Sequence, residues 1–384
     1  MGLHFDKDEL AGRRATAAKE LDSRGLDGLL MFRQESMYYL TGYDTFGYVF
    51  FQCLYMGADG ETLTLLTRTP DLRQAQHTSM IDDIRIYIDT EDSNPAKELR
   101  DILDEHGARG KRLGIETDAY GLTGYNHKRL EAALDGFCEL EEASDIVTRL
   151  RAVKSPAEIE YVREAARLAD VGLERAVEKA APGAFEGEIL SAIQGAIFEG
   201  GGDPPGNEVI VGSGPRSLLF RYASGMRQLD ENDQISLEWA GVYRRYHAAM
   251  MRTLVVGEAS KYQRYLFDAV REATEAMTEA LAPGRPVGEV DTAHRRVLDA
   301  AGLEKHRFAA CGYSQGTTFQ PNWMDWPMLY EGNSVLAVPG MTFFLHCIVT
   351  DSDRGVAMSL GRTCLVTESG REVLSKQPLD LIVV

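Results

Sequence analysis

Glu238 stands between Leu237 and Trp239 in the stretch SLEWAGVYRRYH, and His247 closes that stretch after two arginines and two tyrosines. A carboxylate flanked by apolar residues in a buried strand is partly desolvated, so its pKa rises toward the range of a working base. Such a group can attack an electrophilic carbon or take a proton from water. Imidazole titrates near neutrality, which suits His247 to shuttling protons. The competing structural reading pairs Glu238 with Arg244, Arg245 or Arg252 and leaves His247 as a satisfied residue at a strand end. Trp323, Asp325 and Trp326 form a second cluster, whose aromatic faces either wall a pocket for a delocalised cation or pack a loop.

The elements that must position these groups are legible from pattern and punctuation. In the first third, DELAGRRATAAKELDSRGL reads as an amphipathic helix ending at Gly25. DGLLMF, MYYLTGY, YVFFQCLYM and TLTLLT read as strands, the last two separated by the turn GADGE. NPAKELRDILDEHGARGKRLGIE gives a further helix and strand. These make an α/β domain over residues 1–148. The texture then changes, and the boundary is expected within residues 146–153. Ser155, Pro156 and Glu158 form a helix start signal for a long helix. A second domain, residues 149–384, contains an internal echo: APGAFEGEI (181–189) and APGRPVGEV (282–290) share one pattern. Each follows a helix rich in Ala and Glu and precedes another helix. This repeat predicts a duplicated unit arranged about a pseudo-twofold.

Composition narrows the functions available. Formal charge is −18, with 59 acidic against 41 basic residues, which argues against nucleic acid and against anionic membrane surfaces. Cys53, Cys138, Cys311, Cys347 and Cys364 are scattered without a CxxC pair, so reduced thiols are expected rather than a disulfide framework or structural zinc. The start MGLHFDKDEL has no apolar core of a secretion signal, and Asp6 breaks the myristoylation pattern. A cytoplasmic enzyme acting on a small molecule is the expectation.

The joint RLRAVKSPAEIEYVREAA, the repeated turns, VGSGP (211–215), PGMTFFL (339–345) and GRTCLVTESGREVLS together resemble the creatinase/aminopeptidase P/prolidase superfamily. That resemblance implies an α/β (α+β) fold: a creatinase-like N-terminal α/β domain followed by a pita-bread domain. Its metallopeptidases hold two divalent ions on two Asp, one His and two Glu. The corresponding positions here are Glu238, Ala249, Tyr313, His346 and Gly361. One carboxylate and one imidazole do not supply the oxygen donors that two ions need, so no metal and no other cofactor is expected. A single ion on Glu238, His247 and His346 is the alternative.

Creatinase itself is metal-free, but the stretch in which its catalytic His falls reads SGPRSLLFRYASG here and has no histidine. A nearer resemblance is to ectoine hydrolase, a metal-free branch that opens a cyclic amidine, through YLTGYDTFGYVFFQ, LEWAGVYRRYH, GYSQGTTFQPNW and PGMTFFLH. It departs at TFGY and at MDWPMLYEGN, both in regions expected to touch substrate. It implies catalytic roles for Glu238, His247, His346 and Tyr313. It also implies a substrate pocket containing Trp239, Tyr243, Gln315, Trp323 and Asp325, with Phe46 and Tyr48 on a first-domain loop. In this superfamily such a loop can cover a neighbouring protomer's pocket, so a homodimer is expected. The expected function is metal-independent hydrolysis of a non-peptide C–N bond in a small zwitterion such as ectoine. Other readings are a related amidinohydrolase, a catalytically silent binding protein, and an Xaa-Pro peptidase with bound metal.

Overall fold

The computed structural model describes residues 2–221 and 226–384. The chain divides into two compact units, one ending at Arg151 and the other beginning at Ala152.

In the first unit, β1 (Gly28–Met31), β2 (Cys53–Gly57), β3 (Leu63–Arg68), β4 (Asp83–Tyr87), β5 (Arg112–Ile115) and β6 (Glu139–Glu142) form a mixed sheet in the order β4-β3-β2-β1-β5-β6. Side chains alternate across a strand, and β1 shows the consequence. Leu29 and Met31 join one apolar cluster with Ala17 and Leu21 of α1 (Lys7–Ser23). Leu30 joins another with Leu99, Ile102 and Leu103, which belong to the helix Pro95–Glu105. Asp6 caps α1 by accepting the Glu9 N–H at 2.7 Å.

One expected strand is a helix. MYYLTGY falls in α2 (Gln34–Thr41), which Gly42 ends in the left-handed conformation at φ 82°. An apolar run this short does not distinguish a buried strand from a helix that is buried all round, and Met37 to Thr41 are all buried. YVFFQCLYM likewise becomes strand only from Cys53, after a 3₁₀ turn at Gly47–Val49. The remaining helices of this unit are α3 (Leu72–Thr78), α4 (Pro95–Glu105), α5 (Gly124–Leu134) and α6 (Asp145–Ala152), the last reaching the boundary.

The second unit repeats one motif. Helices α7 (Pro156–Lys179) and α8 (Glu186–Glu199) lead to β7 (Ile210–Ser213), β8 (Asp233–Tyr243) and β9 (Tyr246–Val256). Helices α9 (Lys261–Ala280) and α10 (Gly288–Ala300) lead to β10 (Gly312–Ser314), β11 (Asp325–Met328), β12 (Thr342–Asp351) and β13 (Val356–Thr367). The two copies of the repeated turn lie at equivalent places, between α7 and α8 and between α9 and α10. The sheet runs β11-β10-β12-β13-β9-β8-β7, with β14 (Gly370–Val373) on β13 and β15 (Ile382–Val383) on β9. The halves meet where Leu360 and Gly361 pair with Arg252 and Met251. This is the duplicated pita-bread arrangement.

Helix α7 begins as the sequence dictates, with Ser155 and Glu158 forming a reciprocal capping box and Pro156 in the first turn. It then lies unusually close on β8. A Cβ on Gly241 would stand 1.9 Å from the Ala165 carbonyl oxygen and 2.6 Å from the Ala169 nitrogen. Trp239 donates its indole N–H to the Ala169 carbonyl at 3.1 Å. Gly241→Ala must therefore push helix and sheet apart. It is expected to lower stability by about 3 kcal/mol, read as a lower urea midpoint with an unchanged slope; an unchanged midpoint would show that the contact yields freely.

Candidate active site

Residues at even positions in β8 and odd positions in β9 share one face, because Glu238 pairs with Met251, Ala240 with Ala249 and Val242 with His247. That face carries an apolar cluster of Ala240, Val242, Ala249, Met251, Tyr313, Trp323, Phe344 and Ile348. Glu238 lies on this face with only 9% of its surface exposed. Burial raises its pKa to about 7, against the opposing pull of the Arg221 charge and the Tyr313 hydroxyl. The carboxyl is therefore poised between its two protonation states at neutral pH.

Tyr313, on β10, approaches Glu238 Oε1 at 3.5 Å, a long hydrogen bond. Its hydroxyl also accepts the Trp323 indole N–H at 2.7 Å. Burial first, and the neighbouring Glu238 second, push the phenol pKa well above its ordinary value, so the hydroxyl remains a donor. His346, on β12, lies with its ring centroid 5.7 Å from that of Tyr313 and 5.4 Å from that of Phe344. Burial, then the charges of His294 and Arg221, push its pKa down to about 3. His346 is thus a neutral imidazole at pH 7. Three of the four expected catalytic residues and Trp323 come together here.

The fourth does not. His247 shares the face of Glu238 but stands opposite Val242, about 13 Å along the strand at 3.3 Å per residue. Its Nε2 accepts the Gly206 N–H at 2.8 Å, and Nδ1 faces the Arg245 carbonyl at 3.0 Å and the Thr318 hydroxyl at 3.1 Å. Burial holds its pKa at about 4. His247 is a neutral tie between loops, not a proton shuttle at Glu238.

Trp239 and Tyr243 are also corrected. Both point to the opposite face of β8, where Trp239 is fully buried against α7 and Tyr243 packs edge-on to Tyr161 at 5.7 Å. Strand alternation excludes them from the face of Glu238. Of the arginines offered as partners for Glu238, Arg252 donates instead to the Met251 and Gly361 carbonyls, both at 2.8 Å. Gln315 is a bracket beside Ala249, its carbonyl oxygen accepting the Ala249 N–H at 2.9 Å and the Thr363 hydroxyl at 3.0 Å. Asp325 pairs with Ser314 in the ladder and accepts the Trp326 N–H at 2.9 Å. Phe46 and Tyr48 lie in the first unit, where Phe46 is 65% exposed and Tyr48 is buried edge-on to it at 5.8 Å.

Sequence reasoning missed Arg221. Its charge acts on Glu238, Tyr313 and His346, which come from three different strands. Arg221 is exposed, while the preceding residue, Phe220, packs against the apolar cluster of the site. The available signal was the only cation between Arg216 and Arg227, in the stretch noted for lacking histidine. Residues 222–225 of that stretch lie outside the described residues.

The five metal positions do not fit two ions. Ala249 and Gly361 offer no donor atom. A Cβ on Gly361 would stand 2.6 Å from the Phe344 ring, so an aromatic edge fills that space. The Tyr313 oxygen is engaged by Trp323 and Glu238.

With the fold and this face in view, relatives can be placed. Metallopeptidase family M24 matches residues 160–368, and the creatinase/prolidase N-terminal domain matches residues 13–153. The chain belongs to family M24, and it is a hydrolase of that family. It is 29% identical over 400 residues to the ectoine hydrolase of Halomonas elongata, covering 100% of this chain and 99% of that one. It is 23% identical to the Xaa-Pro dipeptidase of Pyrococcus furiosus, covering 95% and 97%. The prolidase structure from Thermococcus sibiricus superposes with a TM-score of 0.86 at 21% identity, covering 99% and 100%, which speaks for the fold. Among the described residues no helix is long and apolar enough to cross a membrane.

His247→Ala removes the acceptor for the buried Gly206 N–H. We expect a loss of about 2 kcal/mol in stability with kcat of the folded fraction within a few-fold of wild type. A collapse of kcat in fully folded protein would return His247 to the chemistry.

Proposed function

We propose that this hydrolase opens a C–N bond in a small zwitterionic cyclic amidine, with ectoine the first compound to test, and that it needs no metal ion to do so. The observation carrying this reading is the buried Glu238 carboxyl with a pKa of about 7 beside the Tyr313 hydroxyl. The name of the Halomonas elongata relative supports the substrate class. The donor-poor metal positions support chemistry carried by side chains alone.

An amidinium carbon is electrophilic, and its positive charge beside Glu238 favours the ionised carboxylate. Glu238 then takes a proton from water as the water oxygen bonds to the amidine carbon, and the C=N electron pair moves onto nitrogen. The proton on Glu238 passes to the departing ring nitrogen. The C–N bond breaks as C=O forms, and the hydroxyl proton follows to the amine, leaving an amide and an ammonium group. Direct attack by Glu238 uses the same carbon, with water later releasing the acyl group and restoring the carboxylate. The Tyr313 hydroxyl orients the carboxylate, and the apolar wall keeps its charge poorly solvated. His346, neutral at pH 7, serves as a hydrogen-bonding wall rather than an acid.

Chelator-treated wild type is expected to convert ectoine to the ring-opened amide. Because the carboxylate must be ionised, kcat/KM is expected to rise with pH through an apparent pKa near 7 and stay level above it, with the kcat limb at lower pH because the bound cation favours the carboxylate. Glu238→Gln is expected to lower kcat by about 10²–10⁴-fold. Binding of ectoine without turnover would favour a silent binding protein. Cleavage of proline dipeptides that depends on added metal would favour the peptidase reading, and either result would overturn this proposal.

Arg221 provides a cation for the carboxylate of such a zwitterion. Arg221→Ala is expected to raise KM about 10–100-fold, the equivalent of one charged hydrogen bond. Losing a charge that lowers the Glu238 pKa moves the pH limb upward. An unchanged KM for the carboxylate substrate would remove Arg221 from the binding site.

A further inference from the structure

The chemistry proposed at Glu238 leaves one polar cluster unused. In the second unit, α10 and the chain just before β10 bring Asp291, His294 and Cys311 together, and all three are fully buried. One donor atom from each lies within 4.8 Å of the other two. Asp291 Oδ1 and His294 Nδ1 are 3.3 Å apart, about the edge of a tetrahedron with bonds of ~2.0 Å from its centre.

The three groups bond chiefly to one another, so an ion would replace the contacts among them rather than break them away from other partners. The second Asp291 oxygen is held by Arg295 Nε at 2.7 Å, and Arg295 is fixed in turn by the Ala309 carbonyl at 2.6 Å. That fixes the carboxylate to offer one oxygen. His294 Nε2 is buried with no hydrogen-bond partner among the described residues. The Cys311 thiol hydrogen-bonds the Asp291 carboxylate and has a distant contact with the Leu329 carbonyl at 3.9 Å. Their surroundings are apolar, with Val290, Leu298, Leu329 and Leu345 in the same core cluster. A carboxylate, an imidazole and a thiol converging in such a core leave one buried polar atom, His294 Nε2, without a partner among the described residues. Together they are the mixed oxygen, nitrogen and sulfur set that suits a borderline divalent ion.

We propose that Asp291, His294 and Cys311 hold one structural divalent ion, zinc being the first choice, at a site that shares no residue with the catalytic face. His294 nevertheless acts through its charge on His346. On binding, the Cys311 S–H bond breaks, the sulfur keeps the electron pair as a thiolate ligand, and the proton leaves to solvent. His294 binds as the neutral imidazole and Asp291 through one oxygen, so nothing is oxidised or reduced.

The test uses the full chain, purified from zinc-supplemented culture, desalted and assayed by elemental analysis, with cobalt(II) replacing zinc in a second sample. Wild type is expected to retain one ion per chain, and the cobalt form to show a thiolate-to-cobalt charge-transfer band. Cys311→Ser is expected to lose that band, and His294→Ala to lose the ion. Zinc is expected to raise the melting temperature of wild type but not of either variant. Glu238→Gln is expected to keep ion and band, which separates this site from the catalytic face. A cobalt form of wild type without the band overturns the proposal even where a variant fails to fold. So does an ion retained equally in Cys311→Ser and His294→Ala, or lost in Glu238→Gln.

Discussion

The close seating of α7 on β8 decides which side chains can take part in chemistry. Gly241 lets the helix backbone approach to a distance that no larger residue permits, and Trp239 bonds to the helix at the adjacent inward position. Because side chains alternate along a strand, fixing Trp239 and Gly241 against α7 fixes Glu238, Ala240 and Val242 on the other face. A slip of one residue would bury a carboxylate against a helix and turn an indole toward the site. The strand register, and with it the position of Glu238, therefore rests on a packing contact on the opposite face of the strand.

Given that register, the electrostatics follow from what surrounds Glu238. Alanine, methionine and phenylalanine side chains form the wall, so burial dominates its pKa, and Arg221 and Tyr313 only moderate the rise. A carboxyl opposed by a strong ion pair would stay ionised and be a poor base. One with no positive charge nearby would stay protonated. The observed balance puts it between these limits, where any nearby positive charge shifts it toward the carboxylate.

Much of this was legible in the sequence, unevenly and for physical reasons. The Ser155 capping box, the repeated turns and the buried strand around Glu238 depend on local pattern, and the structure has them where pattern puts them. His247 was misjudged because its chemistry suits a shuttle, while the hairpin returns it opposite Val242, four residues along the ladder from Glu238 and out of reach of it. Period-two alternation alone would have removed Trp239 and Tyr243 from the pocket. MYYLTGY was misread because an apolar segment buried on all sides has no periodicity to show. Arg221 was invisible for another reason. It lies in a loop, and only the fold brings its charge to bear on residues from three strands.

The changes at the metal positions are linked to one another. Losing the donor at Ala249 leaves a short side chain, and Gln315 fastens the backbone there. Losing it at Gly361 makes room for the Phe344 ring, which then stands beside both Tyr313 and His346. Tyr313 presents a hydroxyl that Trp323 holds in place. Each substitution alone would leave a hole or an unpaired polar group near Glu238. Together they form a packed, mostly apolar wall, so restoring one carboxylate at position 249 would not rebuild a metal centre. Within that wall, desolvation of a single acid dominates the electrostatics of the face.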